Sequence, residues 1–107
     1  MPATVLIVED EPAILELIGV NLEHAGYETL RARSAEDATR LLSDILPDVV
    51  LLDWMLPGQS GVALARRLRG DARTRELPLI FLTARAEEPD KIAGLEAGAD
   101  DLSLIHI

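Results

Sequence analysis

The sequence predicts an α/β fold: an open, doubly wound, mostly parallel sheet with helices on both faces. Short apolar runs, TVLIVE at 4–9, DVVLLD at 48–53 and LPLIFLTA at 77–84, alternate with segments whose apolar residues recur at helical spacing. The four consecutive aliphatics of 48–53 fit a strand covered on both faces rather than one half open to water. A length of 107 residues, 49% of them hydrophobic and none cysteine, suits a single core without a disulfide framework.

Each element follows from its punctuation. After the first strand, Ile14, Leu15, Ile18, Leu22 and Ala25 mark a helix over 13–25, with Pro12 in its first turn and Gly26 at the left-handed position beyond it. YETLRA at 27–32 reads as a second strand. Ser34 and Asp37 have capping-box spacing ahead of Ala38, Leu41 and Leu42, predicting a helix over 35–43. Beyond the third strand, Leu64, Ala65 and Leu68 share one helical face and Gly70 is placed to end it. The fourth strand ends at Thr83, residues 89–97 predict a helix stopped by Gly98, and LSLIHI at 102–107 is a short fifth strand.

Ten Lys and Arg against nineteen Asp and Glu give a net charge of -9, which argues against a broad basic face for nucleic acid. No apolar run reaches the ~20 residues of a membrane span, and the acidic start lacks the basic flank of a signal peptide, so a cytoplasmic protein is expected. Without cysteine there are no thiolate ligands or thiol nucleophiles, and only His24 and His106 offer imidazole. His24 reads as a surface or capping residue. The arginines at 66, 67, 69, 73 and 75 read as a solvated helix face and loop.

In open α/β sheets the ligand crevice lies beyond the carboxyl ends of the strands. Here those ends carry Glu9 and Asp10, Asp53, and Thr83. Carboxylates drawn together must take up protons or share a cation, and an all-oxygen cluster suits Mg²⁺ better than Zn²⁺. Asp53, fixed by the VVLL strand, is the candidate attacking carboxylate; Glu9 and Asp10 would hold the metal, and the segment after Asp53 would present a carbonyl to it. The Thr83 hydroxyl and the N–H groups after Asp53 and Thr83 could donate to phosphoryl oxygens.

The blocks LIVEDEP at 6–12, DVVLLDWMLPGQSG at 48–61, LPLIFLTA at 77–84 and GLEAGADD at 94–101 closely resemble the receiver, or response-regulator, domain of bacterial two-component systems. DWMLPG is most similar to the phosphate-regulon type, whose receivers control winged-helix transcription factors. The resemblance spans residues 3–101. It implies a flavodoxin-like, CheY-like five-stranded sheet of order 2-1-3-4-5, with Asp53 taking a phosphoryl group from a sensor histidine kinase in the presence of Mg²⁺ and later losing it to water. It further implies a metal site of Asp10 as a direct ligand, Glu9 as the second acid acting through water, Asp53 itself, and the Met55 backbone carbonyl. Trp54 matches the variable position beside the acceptor, Thr83 the switch hydroxyl, and Ala84 the small residue giving access to the acyl phosphate.

The resemblance breaks at the end. Ile105 stands where the family has its phosphate-contacting lysine, His106 where a proline follows, and Leu102 where the aromatic switch residue lies. Losing a cation aimed at the phosphoryl oxygens should impair coupling while leaving Mg²⁺ binding intact. The chain is expected to divide into an incomplete receiver at 1–101 and an aberrant tail at 102–107. LSLIHI resembles the translation of a transposase-type sequencing adapter, and His106 reads as accidental. A final helix is not expected within the chain, which would impair a receiver homodimer and leave an apolar face prone to association.

Three other readings compete. A nucleotide-binding domain lacks its glycine-rich loop, because EDEPA follows the first strand. An aspartyl phosphatase lacks a second Asp within the turn that follows Asp53 to act as general acid. A degenerate receiver serving only as an interaction module is supported by Leu102 and Ile105 and opposed by Glu9, Asp10, Asp53 and Thr83. No turnover of an external substrate is expected.

Overall fold

The computed structural model describes residues 2–53, 56 and 60–82, together with the backbone of 101–105. Its elements run β1 (Thr4–Val8), α1 (Pro12–His24), β2 (Glu28–Ala32), α2 (Ala35–Asp44), β3 (Val49–Asp53), α3 (Gly61–Gly70) and β4 (Leu79–Leu82). These strands form a parallel sheet of order β2-β1-β3-β4. The backbone of β5 (Asp101–Ile105) runs parallel to β4, with a register shift between Ile80 and Leu82. The expected helix at 89–97 lies outside the described residues.

The aliphatic runs divide by parity, as the twofold alternation of a strand requires. Leu6, Val8, Val50, Leu52 and Phe81 pack with α2 and α3 residues Ala38, Leu42, Leu64 and Leu68. Val5, Ile7, Leu51 and Leu82 instead pack with Leu15 of α1. Both sheet faces are thus apolar, which is why these strands read as continuous hydrophobic runs.

The predicted helix ends are realised with small differences. Pro12 occupies the first turn of α1, and Gly26 has φ 98°, the left-handed conformation expected of it. Ala25, the last apolar position of the expected helix over 13–25, is instead its exposed C-cap, one residue beyond the helix end at His24. The Ser34 hydroxyl accepts the Asp37 N–H at 3.1 Å, and Ser60 caps α3 in the same way through Ala63. Gly70 is the last helical residue of α3 rather than a left-handed stop; the helix ends as Asp71 becomes extended.

One close approach was not anticipated. Gly19 is buried on α1, and a Cβ there would collide with the Arg31 guanidinium crossing it from β2. That guanidinium bonds Glu16 and Glu23 of α1, strapping the edge strand to the helix. Among the described residues, no helix is long and apolar enough to cross a membrane.

Candidate functional site

The register of β1 and β3 builds the site. Val8 lies beside Leu52, so the next residues, Glu9 and Asp53, emerge side by side from adjacent strands. They share the parity of Ile7 and Leu51 and therefore rise on the α1 side. Asp10 follows in the turn before α1. Carboxylate oxygens of Glu9, Asp10 and Asp53 all come within 4.8 Å of one another.

Glu9 is held from two directions. Its N–H donates to the Ala32 carbonyl at 3.0 Å, extending the β1–β2 ladder by one residue. Its carboxylate Oε2 accepts the Glu11 N–H at 3.0 Å. Glu11 has extended geometry, φ -83° and ψ 111°, as expected for a residue preceding proline. The role of the Glu11 amide was not read from the sequence; the dipeptide Glu11-Pro12 was the available signal.

Glu9 is 3% exposed, whereas Asp10 and Asp53 reach solvent. Burial pushes its carboxyl up to about 7; the Glu11 N–H opposes that rise, while the charge of Asp53 and hydrogen bonds with Asp53 and Asp10 reinforce it. A buried acid among acids is stabilised by a proton or a cation. Three carboxylates without nitrogen or sulfur are the donor chemistry of a hard divalent ion, so the residues present fit Mg²⁺.

Of the other predicted positions, Trp54, Met55, Thr83 and Ala84 lie outside the described residues. Leu102 and Ile105 fall on the backbone of β5. His24 ends α1 and is exposed, away from the carboxylates, as expected. His106 is outside the described residues.

Arg66, Arg67, Arg73 and Arg75 are exposed and Arg69 is half-buried, as expected of a solvated helix face and loop, but three of the five also make contacts the sequence did not announce. Arg67 donates to the Thr39 hydroxyl of α2, Arg69 to the carbonyls of Arg75 and Leu77, and Arg73 to the Leu42 carbonyl near the end of α2. They fasten helices and a loop, with Arg73 placed where a helix carries its negative end.

A parallel sheet with a carboxylate cluster at the carboxyl ends of β1 and β3 defines a candidate divalent-cation site, and the chain belongs to the response regulator receiver domain family, whose model matches residues 5–103. It is 56% identical over 98 residues to the phosphate regulon transcriptional regulatory protein PhoB of Pseudomonas aeruginosa, covering 92% of this chain and 43% of that protein. PhoB of Escherichia coli is 44% identical over 101 residues, covering 94% of this chain and 44% of that protein. The chain thus spans less than half the length of these curated relatives. The receiver domain of sensor histidine kinase PA1611 from Pseudomonas aeruginosa PAO1, crystallised with magnesium coordinated in its active-site cleft, superposes with a TM-score of 0.87 at 29% identity, covering 99% of this chain and 85% of that one.

Proposed function

We propose that the chain is the phosphoacceptor of a two-component phosphorelay, with Asp53 as the accepting residue. The observation that carries this reading is the Glu9, Asp10 and Asp53 cluster at the carboxyl end of the sheet. An Asp53 carboxylate oxygen attacks the phosphorus of a sensor-kinase phosphohistidine; the new O–P bond forms as the P–N bond breaks, and the imidazole leaves with a proton. Glu9, Asp10 and the Met55 carbonyl would hold Mg²⁺, which when bound neutralises charge on the transferring group. Glu9 is oriented for this by the Glu11 amide, while the strand aliphatics behind Asp53 fix its approach. Thr83 would donate to the phosphoryl oxygens, with Ala84 leaving access and Trp54 flanking the acceptor.

The reading extends to a five-stranded sheet of order 2-1-3-4-5 in a receiver at 1–101, followed by the tail at 102–107. Its setting would be the cytoplasm and its partner a sensor histidine kinase; in a full-length protein of the relatives' size a DNA-binding domain would follow. With Ile105 at the lysine position and Leu102 at the aromatic one, acceptance is retained but its transmission is weakened, because transmission needs a group that binds the phosphorylated state better than the free one. The test is incubation with acetyl phosphate and Mg²⁺ followed by intact mass. A Mg²⁺-dependent phosphoryl adduct on the native chain and none on Asp53→Asn is expected; no adduct on either rejects the acceptor role.

A further inference from the structure

The run Glu9, Asp10, Glu11, Pro12 offers α1 two residues from which to start. Aspartate is among the strongest N-caps, because its short side chain accepts an N–H two or three residues ahead, and glutamate is not. Capping preference alone therefore selects Asp10. The helix starts instead from Glu11, whose carbonyl accepts the Leu15 N–H at 3.0 Å and whose side chain makes no cap bond. The other two described helices are each capped by a side chain, α2 by Ser34 and α3 by Ser60. Among the three, α1 alone starts from a residue whose side chain does not cap it, and its start follows two of the three clustered acids.

Pro12 accounts for the shift. Were Asp10 the cap, Glu11 would need helical backbone angles, which a following proline disfavours. The N–H of residue 12, one of the two that such a cap can accept, is also missing in proline. Glu11 is accordingly extended, with φ -83° and ψ 111°, and Pro12 takes the first turn. Two consequences meet at the acids. The extended Glu11 aims its N–H at Glu9 Oε2, 3.0 Å away, and Asp10 keeps its carboxylate within 4.8 Å of those of Glu9 and Asp53.

We infer that Pro12 is a positioning residue of the carboxylate site: by holding Glu11 extended it keeps Asp10 from capping α1, and so keeps Glu9 and Asp10 directed at a cation. Pro12 is exposed and acts through the backbone of Glu11 rather than by touching the ion. The role rests on the reading of the three acids as the Mg²⁺ site of a phosphoacceptor. It adds a reason for the poor cap of α1: a better one would withdraw a ligand.

Titration calorimetry with Mg²⁺ and metal-free urea unfolding test this. Pro12→Ala should weaken Mg²⁺ binding about tenfold, the scale on which the supports of metal ligands act. Its urea midpoint should stay close to native, since the cap gained offsets the freedom that the unfolded chain regains without proline. Adding Glu11→Val, whose β-branched side chain favours extended backbone, should restore part of the affinity. In metal-free unfolding, Asp10→Ala should lower the midpoint more in the Pro12→Ala background, where Asp10 caps the helix, than in the native one. A native chain that binds no Mg²⁺ overturns the metal site and this role with it. Native binding that Pro12→Ala leaves unchanged overturns this role alone. So does an Asp10→Ala effect equal in both backgrounds, or a Pro12→Ala chain that circular dichroism shows unfolded, which would make Pro12 a residue of the fold.

Discussion

The two ends of the parallel sheet handle polar groups in opposite ways. At the amino end they are satisfied within the chain: Thr4 and Asp48 bond each other, the Val50 N–H meets the Pro78 carbonyl, and the buried Thr74 hydroxyl meets the Leu68 carbonyl at 2.6 Å. At the carboxyl end three acids share a space where a proton or cation is needed to balance them. All strands of a parallel sheet start at one end and finish at the other, so stability and chemistry are separated along its length. Substitutions at the carboxyl end should therefore change ligand response, and those at the amino end should change stability.

The largest effect expected is complete loss of phosphoryl uptake in Asp53→Asn, read by intact mass, with the urea midpoint retained. Loss of fold in this variant would break the separation between the ends. Next is Thr74→Val at the other end. It removes the hydroxyl donor to the Leu68 carbonyl, which keeps only the longer Asp71 N–H contact at 3.4 Å, and the lost hydrogen bond costs ~1 kcal/mol in urea unfolding. Mg²⁺ affinity should not move.

Glu9 gives a signed pH test. Its carboxyl is raised from 4.5 to about 7, so between those values the folded chain binds more protons than the unfolded one. Stability without metal therefore falls as pH rises through that window and levels off above it. Mg²⁺ favours the ionised acid, so its affinity rises with pH over the same window. Glu9→Gln should flatten the metal-free stability profile and weaken Mg²⁺ binding, checked by thermal unfolding against pH and by titration calorimetry. A variant that keeps the native pH slope would assign that slope to another group.

Much of this architecture was legible because local signals agreed with one another. The apolar runs gave the strands, Pro12 and Ser34 the helix starts, Gly26 the positive φ, and the strand-end rule brought Glu9, Asp10 and Asp53 to one place. What escaped depends on distance in sequence. Arg73 reaches Leu42 across 31 residues, and Arg31 crosses Gly19 because a helix and an edge strand meet there. No periodicity announces such contacts, so the sequence shows that the arginines are solvated but not that Arg67, Arg69 and Arg73 also act as fasteners. The elevated carboxyl of Glu9 likewise needs its burial, which a strand-end position alone does not specify.

The smallest effect separates place from role within the carboxyl end itself. Ser34 follows β2 at that end, but its hydroxyl serves only the first turn of α2, accepting the Asp37 N–H. Ser34→Ala should cost ~1 kcal/mol, as the loss of a helix cap does. Because Ser34 is outside the carboxylate cluster, Mg²⁺ affinity and phosphoryl uptake should match the native chain once both are measured well below the unfolding transition. Equal binding with a lowered urea midpoint would confine the chemistry of this end to the three acids and their supports. Weakened binding in the folded variant would show instead that the β2–α2 turn helps to hold Glu9, through the Ala32 carbonyl that accepts its N–H.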